Sequence, residues 1–145
     1  MARFDPYLNF SGNAEEAMKF YLSVFGGDLE LIRFKDFPGG EAGVAADELD
    51  QLMHASLSLP DGRVLMASDA PLRMGKVQFG TSTHVMIGVD SADEARRLYA
   101  GLSEGAQHIV MPLGDAGFAE LYAALQDRYG IHWMIYFAGN RAAAN

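Results

Sequence analysis

The sequence predicts an α+β fold made of two copies of one β-α-β-β-β module, paired by a pseudo-twofold. Two observations predict it: a pair of capped amphipathic helices at one spacing, and a strand-turn-strand pattern that closes each half. The first helix is expected over Asn13-Ala-Glu-Glu-Ala-Met-Lys-Phe-Tyr-Leu-Ser-Val-Phe-Gly-Gly. Asn13 is a good N-cap, and Glu16 stands where a capping box needs it. Ala17, Phe20, Tyr21 and Val24 form one apolar face, and Gly26 and Gly27 supply the stop. The second helix begins at Ser91, with Glu94 as its box, Ala95, Leu98, Tyr99 and Leu102 as its stripe, and Gly105 as its stop. Positions 13 and 91, 16 and 94, 17 and 95, 21 and 99, and 27 and 105 all differ by 78. Duplication explains a shared offset for cap, box, stripe and stop better than coincidence does.

The flanks repeat as well. Short apolar strands are expected before each helix, at Phe4 to Phe10 and Thr83 to Val89, and after each, at Leu29 to Phe34 and Gln107 to Met111. Met53 to Leu59 then turns at Pro60-Asp61-Gly62 into Arg63 to Ser68. Phe118 to Leu125 turns through Asp127-Arg128-Tyr129-Gly130 into Ile131 to Phe137. Gly62 and Gly130, like Met66 and Met134, differ by 68, so the first half carries an insertion, placed in the loop-like stretch Phe37 to Glu48. Its acidic residues Glu41, Asp47, Glu48 and Asp50 read as a solvated loop. The expected organisation is one domain over 1–145, with module one at about 4–69, a linker at about 70–80 and module two at about 81–138.

Composition narrows the function. The chain has 145 residues, half of them hydrophobic and 21% charged, which is globular composition. A net charge of −8, with eleven scattered basic residues, argues against nucleic acid as a partner. There is no cysteine, which removes disulfides and thiolate chemistry and fits a reducing compartment. No apolar stretch approaches the roughly 20 residues of a membrane helix. Asp5, Pro6 and Asn9 break any signal-peptide core, so a cytoplasmic protein without a membrane partner is expected. No serine stands in a nucleophile turn, and Ser56, Ser58 and Ser68 read as ordinary strand residues. No glycine-rich phosphate loop opens a helix.

A four-stranded sheet with one helix covers one face and leaves the other open; the second copy is its natural partner, and a small-molecule cup is expected between two such sheets. Strand alternation sorts residues by face. In Thr83 to Val89, Val85, Ile87 and Val89 are expected toward the helix, leaving His84, Met86 and Gly88 for the cup. The 78-residue offset carried into the first strand places Pro6, Leu8 and Phe10 in the cup. The hairpins add His54, Ser56, Met66 and Ser68, then His132, Met134 and Tyr136; Trp133 and Phe137 take the opposite parity. Any single methionine reads more simply as core filling, but Met66, Met86 and Met134 share the cup parity, and together they suit a planar or irregular apolar ligand.

The paired design resembles the vicinal oxygen chelate superfamily, which holds the glyoxalase and bleomycin-resistance proteins and dioxygenases, and within it the PhnB-like branch. The carrying residues are Tyr7-Leu-Asn-Phe-Ser-Gly-Asn-Ala-Glu-Glu-Ala, Phe20-Tyr-Leu-Ser-Val-Phe-Gly-Gly, Met53-His-Ala-Ser-Leu, Leu65-Met-Ala-Ser-Asp-Ala-Pro, Leu98-Tyr, Met111-Pro-Leu and Gln126-Asp-Arg-Tyr-Gly-Ile-His-Trp-Met-Ile. Phe118, where a tryptophan is usual, and Tyr122-Ala, where an aromatic-glycine pair is usual, depart from the pattern at the expected pocket rim. The resemblance implies a glyoxalase/bleomycin-resistance-like fold and a homodimer.

Metal-using members place one ligand on the first and last strand of each half. Carried over by position, these fall on His84, Pro6, Met66 and Met134. Pro6 cannot ligate and thioethers are poor ligands for hard ions, so no metal and no other cofactor is expected. His108 is expected at a strand start near the surface. The ligand-binding candidates are His54, Met66, His84, Met86, His132, Met134 and Tyr136, with His84 the best candidate for catalysis. The leading expectation is a small-molecule-binding protein or metal-independent enzyme. A metal-dependent glyoxalase-type lyase or dioxygenase, and a non-catalytic sequestration module, are the alternatives.

Overall fold

The structure is a computed structural model describing residues 1–144; Asn145, the end of the expected domain, lies outside them. The chain divides into two compact units, Met1–Gln78 and a second from Phe79 onward. The first contains β1 (Tyr7–Phe10), α1 (Ala14–Phe25), β2 (Asp28–Arg33), β3 (Leu52–Ser58) and β4 (Val64–Asp69). The second contains β5 (Val85–Gly88), α2 (Ala92–Ser103), β6 (His108–Gly114), β7 (Leu121–Gln126) and β8 (His132–Phe137). The sheet orders, β1-β4-β3-β2 and β5-β8-β7-β6, repeat one topology. In each, the first strand runs parallel to the last, and the remaining pairs are antiparallel. This is the α+β duplication that the repeat predicts. The extra length of the first unit lies between β2 and β3, at 34–51, where the second unit has only 115–120.

Several expected boundaries shift. β1 and β5 are shorter than expected at their N-terminal ends, and β7 begins at Leu121 rather than Phe118. β6 continues past Met111 through Pro112, which an edge strand tolerates because its outer N–H groups need no partner. Its register against β7 shifts on both sides of Met111.

Each helix buries most of its predicted stripe against its own sheet; Phe20 and Tyr99, at the stripe edges, are only half-buried. Ala14, Ala17, Met18, Tyr21 and Val24 of α1 pack toward β2, β3 and β4, whose Ala55, Leu57, Leu65 and Ala67 are buried. In α2, Ala95, Leu98 and Leu102 pack toward β6, β7 and β8, above the buried Ala123, Leu125, Trp133 and Ile135. Gly26 and Gly27 end α1 with positive φ. At Gly27 the strain is compounded, because a Cβ there would strike the Ser58 carbonyl. Gly130 has the same left-handed requirement (φ +93°) in the β7–β8 turn, where the Phe79 ring lies 3.0 Å from where a Cβ would stand.

The caps differ from expectation in one helix. Ser91 Oγ accepts from Glu94 N–H at 3.1 Å, as the sequence predicts for α2. Asn13 makes no side-chain cap on α1. Its place is taken by Asp69, the last residue of β4, whose Oδ1 accepts from Gly12 N–H (2.8 Å) and Ala14 N–H (3.0 Å). Asp69 Oδ2 also accepts from Leu52 N–H at 2.9 Å, so one buried carboxylate joins the helix start to two strands. The second unit has its own pin: Asp127, 0% exposed, accepts from Tyr129 N–H, Ile131 N–H and the Trp133 indole at 2.8, 3.0 and 2.7 Å.

The acidic loop needs a second correction. Glu41, Asp47 and Asp50 are exposed, but Glu48 is buried and accepts from Ala45 N–H (3.1 Å) and Leu72 N–H (2.9 Å). Its carboxylate satisfies backbone donors rather than water, and ties the long loop to the segment after β4. Nearby, Glu15 forms a bidentate pair with Arg33, at 2.8 and 3.1 Å, and an i,i+4 pair with Lys19. The Arg33 guanidinium first, and Lys19 second, hold the Glu15 carboxyl down at about 2 against an ordinary 4.5.

Two outcomes follow. Asp127→Ala leaves buried donors unpaired and costs at least about 2 kcal/mol; urea unfolding followed by Trp133, the single tryptophan, measures it, and an unchanged midpoint contradicts it. Glu15 carries a depressed folded pKa, so its contribution is complete above 4.5 and is lost as pH falls toward 2. The stability gap between the wild type and Glu15→Gln should therefore close over that window.

Candidate functional site

Each sheet has one face under its helix and one face away from it. Register decides which residues take the open face, because paired residues on adjacent strands share a side. In the second unit Val85 pairs with Trp133 and Ile87 with Ile135 on the helix side. Met86 pairs with Met134, and Gly88 with Tyr136, on the open side. β7 continues that side with Ala124 opposite Met134 and Tyr122 opposite Tyr136. Met111 of β6 adjoins Ala124. His84, just before β5, meets His132 with ring centroids 5.0 Å apart in an edge-on arrangement.

The open face therefore has three zones. At one end stand His84 and His132; in the middle, Met86, Met111 and Met134; at the other end, Tyr122 and Tyr136 beneath Phe118. Phe118 stacks on Tyr136 (6.4 Å, 9° between planes) and meets Tyr122 edge-on at 5.1 Å. Met86 is 60% exposed and Phe118 51%, so this apolar surface is not consumed as core. No Asp, Glu, Lys or Arg occurs in any of the four strands.

His132 is the unusual group. Neither ring nitrogen is solvent-exposed, and neither makes a well-formed hydrogen bond. Burial, then the neighbouring His84, lowers its pKa from the ordinary 6.5; the Asp127 charge and a long contact to the Gly80 backbone pull the other way. Neutral imidazole offers one N–H and one lone pair, and neither is well satisfied here.

In the first unit the open face is more polar. Tyr7 pairs with Met66 and Asn9 with Ser68, while Leu8 and Phe10 pair with Ala67 and Asp69 on the helix side. The expectation that Pro6, Leu8 and Phe10 face the cup is thus overturned for Leu8 and Phe10, which are buried beneath α1. The helix offset of 78 does not carry through the preceding strand: Tyr7 beside Met66 corresponds in facing to Met86 beside Met134, one residue out of step. A one-residue slip exchanges the two faces. His54 lies on the open side, its Nδ1 3.1 Å from the Tyr7 hydroxyl and its ring 5.7 Å from the Tyr7 ring.

The same slip changes the position equivalent to His84 from Pro6 to Asp5, whose carboxylate is 2.8 Å from Arg3 Nε. The positions corresponding to a chelating set are then His84, Asp5, Met66 and Met134, half of them thioethers. Among the described residues no group of three or more His, Cys, Asp or Glu is placed to hold a metal ion. This donor set does not fit a hard divalent cation.

The sequence candidates thus fall into two groups, His84, Met86, His132, Met134 and Tyr136 on one sheet and His54 and Met66 on the other. Tyr7 and Asn9 were missed. The signal for them was present: Leu8 and Phe10 are the apolar pair of that strand, and apolar parity points to the helix. His108 opens β6 and is exposed. Among the described residues no helix is long and apolar enough to cross a membrane.

Comparison with known proteins agrees with this architecture. Residues 2–136 match the model of the 3-demethylubiquinone-9 3-methyltransferase family. Protein PA1353 from Pseudomonas aeruginosa is 35% identical, with 94% of this chain and 98% of that one covered and a TM-score of 0.82. Protein YjdN from Escherichia coli strain K12 is 24% identical over 142 residues, covering 90% of this chain and 91% of the relative. A glyoxylase/bleomycin resistance protein/dioxygenase domain from Frankia sp. EAN1pec shares the fold at 15% identity, with 95% and 98% covered and a TM-score of 0.64.

A histidine whose folded pKa is depressed binds its proton less readily than in the unfolded chain. His132 therefore withdraws stability as pH falls below 6.5, and His84→Gln should raise its titration midpoint by removing a neighbouring charge. Imidazole NMR titration reads both; a midpoint that stays in place in His84→Gln contradicts the coupling.

Proposed function

The chain belongs to the 3-demethylubiquinone-9 3-methyltransferase family, the PhnB-like branch of the vicinal oxygen chelate superfamily, and from that premise we propose a small-molecule-binding protein that works without a metal. The ligand is flat, largely apolar and uncharged, and it lies on the open face of the second sheet. One observation carries the reading: an exposed methionine and aromatic surface, on strands without a single charged residue, ends at a half-buried histidine whose enclosed ring nitrogens make no well-formed hydrogen bond. Methionine adapts to irregular apolar shapes, and the tyrosine rings offer stacking surface. On binding, a turn of the His132 ring brings one of these enclosed nitrogens to a polar group on the ligand, consistent with sites that combine apolar walls and few polar contacts.

The four strands offer a carboxylate or phosphate ligand no Lys or Arg, and the net charge of −8 disfavours its approach. The histidine pair is also the group that a metal-independent proton transfer would use, with His84 as the base. Loss of turnover in His84→Ala, against mere weakening of affinity, separates an enzyme from a sequestering binder. Methyl transfer, the reaction in the family's name, is not part of the proposal. Nucleotide cofactors favour doubly wound parallel sheets with a glycine-rich first turn, and both sheets here are largely antiparallel. A cytoplasmic homodimer belongs to the same proposal, on composition and on the family resemblance; sedimentation equilibrium tests the assembly.

N-phenyl-1-naphthylamine, an uncharged flat fluorophore, tests the site. It should bind the wild type saturably, and Met86→Glu should weaken it at least about tenfold by burying a charge against it. Equal affinity in that variant contradicts the assignment. Elemental analysis after incubation with Ni, Zn, Mn or Fe should find no stoichiometric metal; one tightly held ion per chain would overturn the metal-free reading.

A further inference from the structure

We infer that Arg141 is a positioning residue for the binding face, holding Phe118 in place as its wall; the inference rests on the reading of that face given above. Phe118 belongs to no strand. It sits in the β6–β7 connection, 115–120, half-exposed, with its ring against Tyr122 and Tyr136. An exposed ring on a short loop keeps one position only if the loop backbone is held.

Arg141 holds it. Its guanidinium donates to both Asp115 carboxylate oxygens, to the Ala119 carbonyl at 3.0 Å and, at 3.4 Å, to the Gly117 carbonyl. One planar fork thus grips the loop on both sides of Phe118, with a geometry that lysine cannot reproduce. Asp115 Oδ1 also accepts from Gly117 N–H (2.8 Å), and Glu120 Oε2 accepts from Asn140 N–H (3.0 Å), which closes the loop against the segment after β8. Arg141 acts through Phe118, and so determines how long a flat ligand the face accepts at its tyrosine end.

The Asp115 carboxyl lies below its ordinary 3.8, chiefly through the Arg141 hydrogen bond and then through Gly117 N–H. The carboxylate is therefore charged at neutral pH, as its pairing with Arg141 requires.

The test has one readout that needs no ligand. Phe118 ring protons stacked on Tyr136 should show upfield NMR shifts in the wild type, lose them in Arg141→Ala and recover them in part in Arg141→Lys. N-phenyl-1-naphthylamine affinity should fall about three- to tenfold in Arg141→Ala and in Phe118→Ala, and no further in the double variant, since both remove one interaction. Phe118 shifts that persist in Arg141→Ala would overturn the inference, as would additive losses in the double variant. If Phe118→Ala binds normally while Met86→Glu does not, the wall fails and the binding face stands. If neither matters, the binding face itself is wrong.

Discussion

The parallel pairing of the first and last strand of each unit is the constraint on which the rest depends. It joins β1 to β4 and β5 to β8, and so decides which side chains meet a helix and which face away. Because strand side chains alternate, the pairing has only two outcomes at each position, and a slip of one residue exchanges them all. In β5 the choice puts Val85 and Ile87 under α2 and leaves Met86 open; in β1 it puts Leu8 and Phe10 under α1 and leaves Tyr7 and Asn9 open. One topology therefore carries two different chemistries, a methionine and aromatic face on the second sheet and a hydroxyl- and imidazole-bearing face on the first.

Two buried carboxylates fasten the two units, and they do so at different places. Asp69 joins the start of α1 to β3 and β4, whereas Asp127 closes the β7–β8 hairpin over Trp133. Each accepts three hydrogen bonds, so its burial is compensated, and its removal would leave donors stranded. The duplication preserved topology while each copy acquired its own fastening.

The elements repeated within one chain were legible in the sequence. Helix stripes, glycine stops and the hairpin turns depend on local patterns, and local patterns survive duplication. Position 13 against position 91 shows the limit. Ser91 caps α2, but the cap of α1 comes from Asp69, which is distant in sequence and reachable only through the β1–β4 pairing. Leu8 and Phe10 were misplaced because an offset valid for the helix was carried into a strand where facing differs by one. Glu48 looked solvated because its partners, Ala45 and Leu72 N–H, are backbone groups that leave no mark in a sequence. His84, Met86, Met134 and Tyr136 were legible by alternation alone. The enclosed nitrogens of His132 and the Arg141 clasp were not, because both depend on where a loop comes to rest.

The most direct test of the binding face observes the methionines themselves. With methyl-13C methionine, titration of N-phenyl-1-naphthylamine should move the signals of Met86 and Met134, which share the open face, and leave Met18, buried on the sheet-facing side of α1, unmoved. Movement of Met18 with Met86 and Met134 silent would place the ligand elsewhere and contradict the account.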